Sequence, residues 1–338
     1  MGVQLLDCTL RDGAHVNSGR FGERCISNII SGLTEASADI VEIGFLKNVE
    51  YSADATYFPR VEDACRVLAG IPPNPAVKYA LMARADEYDI GKLTECDGTV
   101  GLIRIAFYYD FLDGAIGFAK EVKARGYDFT LNLINTPGCS PGELRKVAGH
   151  ANAMKPYALN IVDTFGVLYE ESLENIVKAY DSALDPNIRM GLHLHENISS
   201  AFPLIQWYIK HMGGKRDIVA DGSLMGIGRA PGNLCTELAA GYLNARCGKS
   251  INLPKILRLI SRDILPLKKI YKWGYSPEYF LSAAYKVHRS YAEHLSEAGL
   301  GLDDVDLLLS KIKSEYSAKF NKAHIDELAE AWLDKGAR

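Results

Sequence analysis

Short apolar, β-branched runs recur eight times in the first two thirds of the chain, at Val3–Leu10, Ile40–Phe45, Lys78–Met82, Leu102–Tyr108, Phe129–Asn135, Ala158–Asp163, Arg189–His195 and Asp217–Asp221. Between them lie segments with helical spacing of apolar residues, among them Glu23 to Ala36, Phe111 to Arg125, Gly142 to Met154, Glu171 to Leu184 and Pro203 to His211. Such alternation predicts an α/β protein, and eight strand–helix units predict a (β/α)8 TIM barrel. An open doubly wound sheet more often carries a Gly-rich phosphate turn after its first strand. Here that turn reads Thr9-Leu10-Arg11-Asp12-Gly13, which favours the barrel.

The chain has 338 residues, more than a single core usually serves. After Leu253-Pro254 the pattern becomes helical alone, with candidates at Ile256 to Ile264, Pro277 to Leu295, Val305 to Ser314 and Ile325 to Leu333. The expectation is a barrel over residues 1–262 and a helical C-terminal domain over residues 263–338.

Composition narrows the function classes. Lys and Arg total 38 against 42 Asp and Glu, so no basic excess points to nucleic acid. No apolar run approaches the ~20 residues that cross a bilayer, and Met1 to Leu10 lacks the apolar stretch of a signal peptide; a cytoplasmic protein off the membrane is expected. Seven cysteines, an odd number without any Cys-x-x-Cys pair, fit reduced thiols acting mostly as core filler.

Three clusters carry chemistry. In Gly191-Leu192-His193-Leu194-His195, at the end of the seventh strand, residues two apart share a face, so both imidazoles can converge on one metal ion. Catalytic groups of such barrels gather at this end of the strands. A second cluster, Asp7 to His15, closes the first strand with a carboxylate, a guanidinium and an imidazole. Asp12 with His193 and His195 makes a set of one carboxylate and two imidazoles with open coordination positions, suited to Mn²⁺ or Mg²⁺; taken alone, Asp12 reads better as a helix cap or a surface ion-pair partner of Arg11. The third cluster, Asp221 to Asn233, is a Gly-rich turn that reads as an anion cradle or as a tight turn. Its spacing, Gly226-x-Gly228-x-x-x-Gly232, departs from the dinucleotide fingerprint.

Together, Thr9-Leu10-Arg11-Asp12-Gly13, His193-x-His195-Glu196-Asn197 and Gly232-Asn233-Leu234 before Glu237 resemble the DRE-TIM metallolyase superfamily, the group of the 3-hydroxy-3-methylglutaryl-CoA lyase barrel. Within it the chain is most similar to the 4-hydroxy-2-oxovalerate aldolases, on His15, on Arg104-Ile105-Ala106 and on Asp221-Gly222-Ser223-Leu224. The resemblance implies a class II pyruvate aldolase: cleavage of a metal-chelated 4-hydroxy-2-oxo acid to pyruvate and an aldehyde through an enolate, or the reverse addition. It implies Asp12, His193 and His195 as metal ligands with Asn233 beside them, Mn²⁺ as the leading ion with Mg²⁺ or Co²⁺ as alternatives, Arg11 at the enolate oxygen, His15 as base and Tyr275 as acid. The alternative is a Claisen-type acyl-CoA condensing synthase or acyl-CoA lyase of the same superfamily. The expected partners are a small 2-oxo acid and an aldehyde, a second copy of the chain, and, by the same resemblance, an aldehyde dehydrogenase. The chain departs from the aldolases at Glu42-Ile43-Gly44-Phe45-Leu46 and at Asp163-Thr164-Phe165-Gly166, so the aldehyde is left open. Phe45, Leu46, Phe107, Tyr108 and Phe165 are the expected lining on the aldehyde side.

Overall fold

The β-branched runs form parallel strands, as their apolar, two-sided burial requires. In chain order these are β1 (Val3–Asp7), β2 (Ile40–Leu46), the short β3 (Tyr57–Phe58), β4 (Lys78–Arg84), β5 (Leu102–Phe107), β6 (Asp128–Leu133), β7 (Ala158–Asp163), β8 (Arg189–Leu194) and β9 (Ile218–Gly222). The computed structural model describes residues 2–336; residue 1 and residues 337–338, the outer ends of the two expected segments, lie outside the described residues. Hydrogen bonding runs β1-β9-β8-β7-β6-β5-β4-β2, and β1 pairs with β2 to close the ring. The TIM barrel is therefore present with its expected eight strands, while β3 is an addition against the outer end of β2.

The helices between strands follow the predicted spacing closely, for example Glu23–Glu35, Pro141–Met154 and Ala201–Met212. Their apolar stripes pack on the outward faces of the strands. Two further helices, Val61–Leu68 and Thr236–Arg246, complete the ring.

Three local differences from the sequence reading bear on the site. The first strand stops at Asp7: the Cys8 N–H bonds the Gly222 carbonyl, Asp7 accepts the Thr9 N–H, and Thr9–Asp12 and Ala14–Asn17 turn into short helices. In β2 the register against β4 shifts between Glu42 and Gly44. This bulge re-phases the strand, so that Glu42 and Phe45, three residues apart, both reach the barrel interior. The predicted helix Pro277 to Leu295 is two helices, Pro277–Ala284 and Ser290–Glu297, separated by a break in which Lys286 takes φ 54°.

The apolar layer around the barrel extends through Ile256, Leu259, Ile264 and Trp273. A second core joins the later helices through Val287, Tyr291, Leu295, Val305, Leu308 and Ile325. Among the described residues no helix is long and apolar enough to cross a membrane.

Candidate active site

The barrel interior is layered. At the bottom Leu6, Ile40, Ala80, Leu102, Ala158 and Val219 fill it with apolar side chains. Above them lies a buried ionic layer. Arg104, fully buried on β5, donates through Nη1 to Glu42 Oε2 at 2.9 Å and through Nη2 to Asp221 Oδ2. Arg11 donates through Nε to the same Glu42 oxygen at 2.8 Å and through Nη1 to Asp12 Oδ1 at 2.5 Å. The ion pair between Arg11 and Asp12 is thus present, and it leaves Asp12 Oδ2 for other partners.

Those partners are the predicted ones. His193 Nε2 stands 3.1 Å from Asp12 Oδ2, and its Nδ1 lies 3.2 Å from Asp221 Oδ2. Asn233 Nδ2 donates to Asp12 Oδ2 at 3.0 Å, while its Oδ1 is buried without a partner among the described residues. His195 follows β8 and forms a bridge with Asn233; its ring centroid is 5.0 Å from that of His193. Its Nδ1 lies 2.8 Å from the Asp163 carbonyl, which as acceptor fixes the proton there and leaves Nε2 as a free base. Burial, with His193 and Arg289 as neighbouring charges, pushes its pKa down to about 3, so His195 is neutral at physiological pH. Burial lowers His193 as well, but Asp12 and then Asp221 outweigh it and hold the ring above the ordinary histidine value.

The donor set fits a divalent cation. Arg11 and Arg104 face Asp12, Glu42 and Asp221, two guanidiniums against three carboxylates with His193 as the third basic group, so a cation that takes the place of the His193 proton keeps the layer in balance. The unpartnered Asn233 Oδ1 supplies a neutral oxygen beside Asp12. Sequence reasoning passed over one member: Cys8, taken as core filler, has its Sγ within 4.8 Å of ligand atoms of both Asp12 and His193. Burial and the Asp12 charge hold its thiol well above the usual range, so it stays protonated and donates to the Gly222 carbonyl. A protonated thiol is a poor ligand, which leaves the oxygen and imidazole donors as the suitable set.

Above this layer a cavity of about 390 Å³ opens, bordered by Arg11, Asp12, His15, His193 and His195. The ring of His15 is solvent-accessible at its rim. Desolvation at the mouth and the guanidiniums of Arg11, Arg289 and Arg229 lower its pKa despite Asp12, and the accessible edge moderates that effect; His15 is a neutral base. Phe45 and Tyr108 line the cavity as expected. Leu46 and Phe107 point outward into the core around the barrel, because neighbours on a strand alternate in direction. Phe165 borders a different hollow, beside Cys139 and Leu168. Tyr275 is 57% exposed and lines an adjoining groove that it shares with His15, Arg229 and Trp273. The helical region reaches the main cavity instead through His288 and Arg289, in the helix break; no sequence motif marked them.

Residues 108–262 match the family model described as HMGL-like. The chain is 26% identical over 272 residues to the 4-hydroxy-2-oxovalerate aldolase of Pelotomaculum thermopropionicum, covering 75% of this chain and 74% of that one. It is 23% identical over 312 residues to the oxaloacetate decarboxylase of Mycobacterium tuberculosis, covering 89% of each. Among solved structures, the hydroxymethylglutaryl-CoA lyase of Pseudomonas aeruginosa superposes with TM-score 0.63 at 19% identity over 79% of this chain and 93% of that one, a likeness of fold. The names of these relatives and of this structural neighbour are those of an aldolase, a decarboxylase and a lyase, enzymes that break carbon–carbon bonds.

Proposed function

We propose that this protein cleaves a 4-hydroxy-2-oxo acid to pyruvate and an aldehyde, or runs the reverse addition, with a divalent ion, Mn²⁺ first, held by Asp12, His193, His195 and Asn233. The observation that carries this reading is the convergence of Asp12, His193 and Asn233 on the floor of a cavity whose rim carries Arg11 and His15. The ion, when bound, supplies a Lewis acid for the 2-oxo group.

The protein's own groups supply the rest. Arg11 is fixed by Glu42 and Asp12 through Nε and Nη1, which leaves Nη2 to donate to the oxygen that gains charge as the enolate forms. Neutral His15 accepts the proton of the 4-hydroxyl group; the C3–C4 bond breaks, its electron pair passes into the enolate, and the aldehyde departs. Protonation at C3 completes pyruvate. Tyr275, over the adjoining groove beside His15, is the acid that the resemblance assigns to this step.

Two relatives named 4-hydroxy-2-oxovalerate aldolase, at 26% and 24% identity, support the substrate class. The test is pyruvate release from 4-hydroxy-2-oxopentanoate and its longer homologues with Mn²⁺, read through lactate dehydrogenase. Turnover abolished by a chelator supports the reading; no turnover at any chain length sinks it. Carbon dioxide release from oxaloacetate, run in parallel, separates a decarboxylase, since loss of CO₂ from a 2-oxo diacid also ends in pyruvate.

A further inference from the structure

Of the cations that line the cavity and that the reaction described above does not use, Arg84 and Arg229 are paired with acids, and two, Arg289 and Lys47, have no carboxylate partner among the described residues. Arg289 is 7% exposed, yet no carboxylate among the described residues lies within ion-pair distance of it. Its Nη1 donates to the Thr164 carbonyl at 3.2 Å and its Nε has no partner. A buried guanidinium left with one neutral acceptor is costly unless an anion joins it. Asp12, Arg229 and Glu293 are among the charges that act on it, so it lies on the metal-ligand side of the cavity. Its delivery is specific: the helix break at Tyr285–Arg289, with Lys286 in the left-handed region, turns Arg289 into the cavity.

Lys47 stands on the other side. The bulge in β2 and two backbone bonds, from the Phe45 N–H to the Thr56 carbonyl just before the short β3 and from the Lys47 N–H to the Phe58 carbonyl within it, fix it next to the cavity wall. Its ammonium sits 4.1 Å from the ring centroid of Tyr57 and 5.2 Å from that of Phe45, and among the described residues it has no carboxylate partner. Glu87, the nearest acid to face it, is engaged by Arg84, which also binds Asp86. The cavity wall also carries an apolar patch built of Phe45, Met82, Ala106 and Ile134.

A 2-oxo acid has one carboxylate, and the cavity has two cations without a carboxylate partner among the described residues, together with an apolar patch. We propose that Arg289 holds the carboxylate of the 2-oxo acid and that Lys47 holds a second anionic group, a carboxylate or phosphate, on the half of the substrate that leaves as the aldehyde. This deepens the aldolase reading and rests on it for the site of cleavage, but the preference for a dianion is a property of binding and is measured without turnover.

The experiment is calorimetric titration of the Mn²⁺-loaded protein with non-cleavable ligands. The diacids 2-oxoadipate and 2-oxopimelate are compared with the monoacids 2-oxohexanoate and 2-oxoheptanoate; 2-oxo-4-phosphonobutanoate tells a phosphate-like end from a carboxylate. A charge-assisted contact predicts that at least one dianion binds roughly 10-fold or more tightly than its monoanion. Lys47→Met should collapse that ratio to within about 3-fold. Arg289→Gln should weaken monoanions and dianions alike, by about 10-fold; Arg289→Lys, which keeps the charge, should recover part of the loss if the role is electrostatic. Equal binding of diacids and monoacids overturns the proposal, and so does a dianion preference that survives Lys47→Met. Exchange of the pyruvate methyl hydrogens with deuterium, run on the same samples, judges the aldolase reading separately. Exchange without dianion preference removes this inference alone, and dianion preference without exchange removes the aldolase reading alone.

Discussion

Asp12 answers to four neighbours at once: Arg11 takes Oδ1, while His193, Asn233 and the Cys8 thiol share Oδ2. The sequence reading reached Asp12, His193, His195, Arg11 and His15 because their spacing and place at strand ends mark them. It could not reach Arg289, whose role depends on a helix break, nor Cys8, whose thiol looks like any buried cysteine until Asp12 is beside it. Supporting residues give the sharpest mutational expectations. Asp221→Asn, which loosens His193 without touching the cavity floor, should lower Mn²⁺ affinity or turnover by about 10- to 100-fold, measured by metal titration. Arg104→Met leaves Asp221 buried with His193 alone and Glu42 with Arg11 alone, and should cost about 3–5 kcal/mol in urea unfolding. His15→Asn should reduce kcat/KM for aldol cleavage by about 10²- to 10⁴-fold in steady-state assays.

At the scale of elements, strand existence was legible and strand ends were not. A short apolar, β-branched run marks a strand, but where it stops is decided by partners far away in sequence, such as the Gly222 carbonyl that takes the Cys8 N–H. The bulge in β2 was invisible for the same reason, and it is what brings Glu42 and Phe45 to one side. Asp7 at the end of β1 shows how such an end responds to pH. Burial raises its pKa to about 6 although Thr236 and Thr9 donate to it. Its folded pKa exceeds its unfolded value of 3.8, so the native state binds the extra proton and stability falls as pH rises from about 4 to about 6. Asp7→Asn should remove roughly 2–3 kcal/mol of that pH dependence, read from urea unfolding at pH 4 and pH 7. Close packing between neighbouring strands sets another limit: a methyl at Gly191 on β8 would collide with the Asn160 amide on β7. Gly191→Ala should destabilise by about 1–3 kcal/mol in thermal or chemical unfolding.

The whole molecule couples a barrel that holds the ionic layer to a helical region that closes one side of the cavity. Asn197, just beyond the histidine pair, donates to the Tyr279 carbonyl, and Trp273 donates to the Met225 carbonyl, so the two parts meet around the mouth. The alternation of strands and helices announced the barrel, while the route by which the helices reach the site emerged only from packing. The central claim is that this cavity, with a divalent ion held by Asp12 and its neighbours, forms the enolate of pyruvate. Its most direct measurement is deuterium incorporation into the pyruvate methyl group in D₂O, followed by mass spectrometry. With Mn²⁺ the wild-type protein should exchange these hydrogens well above a metal-only blank, and both chelator and Asp12→Asn should abolish the exchange. Exchange no faster than the blank, or exchange that persists in Asp12→Asn, would contradict the account.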